Sequence, residues 1–416
     1  MSTKGRLISM LVHYKDNALD SNAPITMKVN TVLNNYDFSP NTKVAVAMSG
    51  GVDSSVAAAI LAKSGVDVIG ITMDIWPDGA GQPGPRNCCS PESVADAKEV
   101  CALLGIEHIL IDMKEPFANS VVDRFAKDYF DGLTPNPCID CNQHIKYGAL
   151  DEHVMNTGAT VMATGHYARK QFDDVSGKWQ LFRGIDSDKD QSYVLYNLDQ
   201  ARLSRALFPI GGLTKDEVRS IAHDLGLPIA EKPESMDICF VADDYREFAR
   251  KWSGKTSRPG PILSTRGTHL GTHTGIENYT VGQRKGLGVS SDQPLYVTKI
   301  DPVSNSITVG TREDTLAFQF PINQVNSISG NKFIDQQRVQ VKIRSHGKLN
   351  DGVILCENHS AEPIRIELEE PVWAIAPGQA AVIYAGEMVL GGGRIGTNTS
   401  IWESKPSDYV TAAKSI

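Results

Sequence analysis

One stretch limits what this chain can fold into more than any other. Lys43-Val-Ala-Val-Ala-Met48 is a short continuous apolar run, and Ser49-Gly50-Gly51-Val52-Asp53-Ser54-Ser55 follows it without a gap. An apolar run of that length reads as a strand buried on both faces, which belongs in a parallel sheet. Apolar positions at Val56, Ala59, Ile60 and Ala62 then predict a helix over residues 54–64. Strand, glycine loop and helix together present unpaired backbone N–H groups to an anion, and the glycines let backbone approach it closely. Ser49, Ser54 and Ser55 add hydroxyl donors, and Asp53 is placed to hold a Mg²⁺ that bridges phosphates. The lysine of a GK[ST] loop is missing and the spacing is not GxGxxG, so neither of those phosphate-binding patterns applies.

The pattern continues as strands at 66–73, 108–112 and 159–164, with helices at 91–104 and 118–129 between them. Strands alternating with helices of 10–15 residues predict an α/β fold with a doubly wound parallel sheet. That catalytic domain is expected over residues 43–241, behind a loosely ordered extension at 1–42. Past Asp243 the texture turns to short β segments among glycines and prolines. A small β-rich domain is expected over 242–315, with hairpin strands at 296–300 and 306–309. Five further strands, at 337–343, 352–356, 363–368, 380–384 and 388–393, predict a C-terminal β-barrel over 316–400, before a tail at 401–416.

With 41 Lys+Arg against 49 Asp+Glu the net charge is −8, which excludes a polycation that coats nucleic acid by bulk charge. An RNA partner would need a local basic surface, for which Arg338, Lys342, Arg344, Lys348 and Lys332 on the barrel are the candidates. No apolar run approaches the ~18–20 residues that span a bilayer, so no membrane is expected. Seven cysteines are too few and too uneven for a disulfide scaffold. The cytoplasm is the expected compartment, and clustered thiols there are candidates for chemistry or metal. Cys88-Cys89 has no assigned role.

Thr134-Pro-Asn136-Pro137-Cys138-Ile-Asp-Cys141-Asn is the second site, a constrained loop leading into a helix, where a thiolate is favoured. Thr164-Gly165-His166-Tyr167 follows a strand at the carboxyl edge, where open α/β sheets bind ligands. Lys189-Asp190-Gln191, the segment Lys232 to Phe240 that contains Cys239, and Tyr279-Thr-Val-Gly-Gln-Arg-Lys-Gly-Leu-Gly288 complete the set. Alone, SGGVDSS resembles the PP-loop of the N-type ATP pyrophosphatases, which leaves NAD, GMP and argininosuccinate synthetases open beside RNA-sulfurating enzymes. Taken in order, these strings resemble the tRNA-specific 2-thiouridylases over about residues 43–395.

The resemblance implies a HUP-like catalytic domain that adenylates the C2 oxygen of a wobble uridine with Mg-ATP. Sulfur then enters, giving 2-thiouridine, AMP and pyrophosphate, in tRNAs for Lys, Glu and Gln. It implies an ATP site of Ala47, Met48, Ser49, Gly50, Gly51, Val52, Asp53, Ser54, Met73 and Gly165. Cys141 becomes the nucleophile and Cys239 the persulfide carrier, loaded by a sulfur-carrier protein or a cysteine desulfurase. Asn136, Pro137 and Cys138 border the target base, and His166, Lys189, Asp190, Gln191, Arg344, Ser345 and Gln379 contact tRNA. Many relatives carry aspartate where Cys138 stands. Cys138, Cys141 and Cys239 would leave one open position on a 4Fe-4S cluster, so a cluster-delivered sulfide and a persulfide relay both stay open. The third thiol has no part in a two-cysteine relay, which favours the cluster. Two rivals remain: an amide- or guanidine-forming PP-loop ligase, and a non-catalytic RNA-binding module with a vestigial nucleotide loop.

Overall fold

The computed structural model describes residues 38, 42–76, 90–234, 238–241, 244–356 and 364–397. Cys88 and Cys89, most of the 1–42 extension and the 401–416 tail lie outside them.

Strands β1 (Lys43–Ala47), β2 (Asp67–Asp74) and β3 (Glu107–Asp112) pair in parallel, and β4 (Val161–Thr164) joins the other side of β1. β7 (Ala206–Leu207) completes a sheet of order β3-β2-β1-β4-β7. The order reverses at β1, so the crevice for ligands opens at its carboxyl end. Helix α1 (Val52–Lys63) starts there, two residues earlier than its apolar spacing suggests. Its buried Val56, Ala57, Ala58 and Ala59 pack against the sheet. Helix α2 (Pro91–Leu104) is capped by Ser90, whose side chain accepts from the Ser93 N–H, and stops at Gly105 with φ +67°. This is the preferred pairing of N-cap hydroxyl and left-handed glycine.

The expected helix over 118–129 is a composite. α3 (Lys114–Phe117) runs through a wider π-type stretch, Ala118–Val122, into α4 (Asp123–Phe130). A second widened stretch carries the cysteine loop. α5 (Pro137–Asp140) has proline at its first position, and Cys141–Leu150 continues it with π winding before α6 (Asp151–Asn156).

Beyond β4 the chain leaves the parallel sheet. β5 (Ala168–Asp173) and β6 (Lys178–Arg183) form an antiparallel hairpin. Helices α7 (Gln200–Arg205) and α8 (Lys215–Asp224) follow, and α9 (Tyr245–Ser253) leads into the central domain. There β8 (Gly260–Ser264), β9 (His269–His273), β10 (Tyr296–Asp301) and β11 (Ser306–Gly310) form a sheet of order β10-β11-β8-β9. The hairpin expected near Asn305 is β10–β11.

The barrel has six strands, not five: β12 (Leu316–Ser327), β13 (Arg338–Lys342), β14 (Asn350–Leu355), β15 (Ile364–Trp373), β16 (Ala380–Ala385) and β17 (Met388–Ile395). β12 pairs with both β15 and β17, which closes the ring. Its sequence hides it. Pro321 sits inside the strand and Gln324 has φ +52°, features that argue against a strand until the bulges absorb them. The catalytic hairpin then extends the barrel sheet, because β6 pairs with β17 through Phe182–Met388 and Leu181–Val389.

Candidate active site

Gly50 and Gly51 turn the chain from β1 into α1. Gly50 has φ +68°, and a Cβ there would lie 2.1 Å from the Ser93 carbonyl oxygen, so only glycine fits. Gly51 is the N-cap and offers no side chain, which leaves the first-turn N–H groups of α1 to a ligand. The serine hydroxyls are bonded within the loop itself. Ser54 Oγ accepts from the Ser49 N–H at 3.1 Å and donates to the Gly51 carbonyl at 3.2 Å. Ser55 Oγ donates to the same carbonyl at 2.9 Å. These hydroxyls brace the loop. Ala47 ends β1 and Met48 follows it, with the Met48 N–H donating to the Ile71 carbonyl, and buried Met73 lies at the same edge on β2. Gly165 packs on the loop's helix: a Cβ there would lie 2.6 Å from the Ser54 nitrogen.

Asp53 is the electrostatic centre. Tyr167 donates its hydroxyl to Asp53 Oδ1 at 2.8 Å, and Lys215 Nζ lies 2.8 Å from the same oxygen. Lys215 also pairs with Glu234 at 2.8 Å, and Glu234 takes Lys189 at 2.8 Å. Burial works against ionisation of Glu234, but hydrogen bonds from Lys189 and Lys215 outweigh it and bring the carboxyl down to about 2. Lys232 donates to the Gly50 carbonyl at 2.9 Å and pairs with Asp96. Sequence reading missed Lys215 and the anchoring role of Lys232, because they reach the loop from 162 and 182 positions away.

Two of the residues expected at tRNA also tie this centre together. Gln191 accepts from the Tyr167 N–H through its side chain and donates its own N–H to the Tyr167 carbonyl. Asp190, with no exposed side-chain surface, accepts from Arg183, the Gly184 N–H and the Ser192 N–H. His166 is 6% exposed and pairs with Thr164 Oγ1 at 2.8 Å. Burial, reinforced by Lys146, holds its pKa well below the usual range, so the ring is neutral.

Cys138 is exposed in the first turn of α5, not on a loop before it, and Cys141 is half-buried where the winding widens. Cys141 and Cys239 both pack against the main hydrophobic cluster. Among the described residues no three His, Cys, Asp or Glu side chains gather as a metal ion would require.

The barrel holds the cysteine loop from outside. Gln379 donates to the carbonyls of Thr134 at 3.0 Å and Pro135 at 3.2 Å, and the Thr134 N–H donates to Pro377. Arg394 pairs with buried Asp128 and donates to the Gly378 carbonyl. Arg124 bridges Asp140 at 3.2 Å and the barrel's Gln324 at 3.0 Å. Burial pushes the Asp140 carboxyl up to about 6, against Arg124 and Arg394. A cavity of about 280 Å³ opens between these pieces, lined by Asn136, Asp140, Gln143, His144, Arg124 and Arg394 among others, while Cys138 and Cys141 lie outside its lining.

The basic patch expected on the barrel is smaller than its sequence. Lys342 is buried, 3.7 Å from Asp190, where it offsets that carboxylate. Arg344 is half-buried over Trp373, its guanidinium 5.1 Å from the ring, and donates to the Ala374 carbonyl. Ser345 follows it in a half-buried turn. Arg338, Lys332 and Lys348 remain exposed.

A parallel sheet with a braced SGG loop at its switch point defines a HUP-domain enzyme of the PP-loop type. Family comparison agrees: residues 42–243 match the tRNA methyl transferase HUP domain, 250–311 the tRNA methyl transferase PRC-barrel domain, and 319–395 the aminomethyltransferase beta-barrel domain. The chain is 44% identical over 358 residues to tRNA-specific 2-thiouridylase MnmA 1 of Caldanaerobacter subterraneus, covering 85% of this chain and 98% of that one. It is 43% identical to the Heliobacterium modesticaldum enzyme of the same name, over 86% and 93% of the two chains. Among solved structures it resembles an NMN synthetase from Francisella tularensis, at 17% identity and a TM-score of 0.34 over 56% of this chain and 86% of that one. The chain belongs to the tRNA-specific 2-thiouridylase family.

Proposed function

We propose that this chain thiolates tRNA, replacing the C2 oxygen of a wobble uridine by sulfur at the expense of ATP. What carries the reading is the match to 2-thiouridylases across 98% of a relative's length, with the SGGVDSS loop and Cys141 both present. The uridine oxygen is a poor leaving group. Its attack on the α-phosphorus of Mg-ATP releases pyrophosphate and leaves an adenylated oxygen that departs as AMP. The loop N–H groups and α1 offer donors for the phosphates, and Asp53 an oxygen ligand for Mg²⁺.

Two routes can bring the sulfur: a persulfide relay through Cys141 and Cys239, or a sulfide delivered on a 4Fe-4S cluster held by Cys138, Cys141 and Cys239. In that relay the terminal sulfur of a Cys239 persulfide bonds to C2 as AMP leaves with the C–O electron pair. The Cys141 thiolate then attacks Cys239 Sγ, closing a disulfide and releasing the thiocarbonyl. A sulfur-carrier or cysteine-desulfurase protein reloads the thiol, and a thiol reductant opens the disulfide. The base reaches the loop by flipping from the anticodon, with tRNAs for Lys, Glu and Gln as the acceptors. No helix among the described residues is long and apolar enough to cross a membrane. The working compartment proposed is the cytoplasm, where tRNA is the substrate.

The test incubates the purified chain with unmodified tRNA, Mg-ATP and a persulfide donor, and reads 2-thiouridine by mass spectrometry. Product is expected from the wild type and not from Cys141→Ser. Full product from Cys141→Ser, or no tRNA-dependent pyrophosphate release, would overturn the proposal. Anaerobic purification with an iron assay separates the routes: substantial activity of Cys138→Asp without iron supports the relay, and stoichiometric iron bound to the active wild type sinks it.

A further inference from the structure

The phosphate loop lacks a lysine of its own, yet the fold delivers one to it. Lys215 is the first residue of α8, and its position is set three times over. Thr214 and Glu217 form a reciprocal capping box, with the Glu217 N–H donating to Thr214 and the Thr214 N–H donating to Glu217. The Lys215 N–H donates to Asp186 Oδ2 at 2.9 Å. The side chain is 10% exposed and its ammonium stands between two carboxylates, 2.8 Å from Asp53 Oδ1 and 2.8 Å from Glu234 Oε1. Lys232 is committed elsewhere, to the Gly50 carbonyl, Ser93 Oγ and Asp96, so it holds the loop's shape.

Adenylation breaks the bond between the α-phosphorus and the α–β bridging oxygen, and the electron pair stays with pyrophosphate. That growing charge needs a positioned cation beyond Mg²⁺. The SGGVDSS loop contributes N–H groups and one carboxylate, and that carboxylate repels phosphate while it faces the ligand without a metal. An ammonium already resting on Asp53, with Glu234 as its second anchor, supplies the missing charge with little movement. We propose that Lys215 is a catalytic residue of the adenylation step: on nucleotide binding its ammonium passes from Asp53 to the β- and γ-phosphates of ATP, leaving Asp53 to Mg²⁺.

The inference rests on the ATP-dependent reading above, so the test is made without tRNA or sulfur. Calorimetry on the full chain in Mg²⁺ buffer compares ATP, pyrophosphate and AMP. For Lys215→Met, ATP and pyrophosphate affinities are expected to fall at least tenfold while AMP affinity stays within twofold, because AMP lacks the phosphates that Lys215 holds. Lys215→Arg should recover much of the loss. Glu234→Gln, which relieves Lys215 of one anchor, should bind pyrophosphate as tightly as wild type or more so. Equal weakening of ATP and AMP in Lys215→Met, or no change in either, would show a merely structural lysine. A Glu234→Gln loss as large as that of Lys215→Met would show the same. If Lys215→Met does not fold, the arginine and Glu234 variants carry the comparison. A wild type that binds no ATP would instead overturn the adenylation reading itself.

Discussion

At the scale of single residues, the loop residues were legible because they are contiguous, and their partners were not because they are remote. Nothing near Ser49 to Ser55 announces that Ser93 backbone crowds Gly50, or that Lys232 reaches its carbonyl. Those contacts make Gly50 strict. Gly50→Val must relieve a 2.1 Å approach and a φ of +68°, so pyrophosphate release is expected to vanish while tRNA affinity stays within a few-fold. Asp53→Ala should behave likewise, and a parallel loss of tRNA binding in a folded variant would contradict the separation. Glu234 sets a pH dependence. Its folded pKa, about 2, lies below the ordinary 4.5, so its stabilising contribution is present above about pH 4.5 and is lost as pH falls toward 2. The melting-temperature gap between wild type and Glu234→Gln should therefore be full at pH 7 and close progressively below pH 4.5. A gap that persists unchanged at pH 3 would remove the Lys189–Glu234–Lys215 pairing from the account.

At the scale of elements, periodicity located β1, β2 and α2 because each is uniform along its length. The helix after the cysteine loop was expected but its irregular course was not, and β12 escaped altogether, because each is irregular for a reason. The former widens at Cys141 and breaks at Gly148, with φ −122° and ψ −106°; the latter carries Pro321 and two register shifts. π-type widening recurs at functional sites because it re-aims one side chain, and here it begins at the expected nucleophile. The barrel loop 376–379 supplies what the cysteine loop lacks. Thr134 and Pro135 carbonyls find their donor in Gln379, so that residue has a positioning role in the protein without tRNA. Gln379→Ala should change the iodoacetamide rate of Cys141, followed residue by residue by mass spectrometry, with Cys138 as the internal control. Gln379→Glu, which removes the donor but keeps the size, should follow alanine. If both variants alkylate at the wild-type rate and only tRNA affinity falls, Gln379 acts on RNA alone.

At the scale of the molecule, the sequence reads as separate catalytic and barrel units, and the packing joins them. One hydrophobic cluster runs from Ile69 and Ile71 of the parallel sheet through Phe125 and Tyr193 to Tyr384 and Val389 of the barrel. Tyr193 donates to the Ala380 carbonyl at 2.9 Å, Ser192 meets the Tyr384 hydroxyl at 3.2 Å, and β6 pairs with β17. Alternation within each strand shows which residues are buried, but not that both units bury them in the same place. The central sheet differs, since Ile262, Val297 and Ile307 form a cluster of its own. Tyr384 is fully buried, and replacing it by alanine removes an aromatic ring at a cost of about 3–5 kcal/mol, a large part of the ~5–15 kcal/mol that holds a domain folded. Because the cluster is shared, that loss should not stay in the barrel. Hydrogen exchange of Tyr384→Ala is expected to accelerate together in β16–β17 and in β1–β2, with β10–β11 little affected. Acceleration confined to barrel peptides would mean that the two units open independently. Joint opening would mean that the surface carrying Gln379 and the sheet carrying the phosphate loop fold as one, so that the cysteine loop is held only when both are in place.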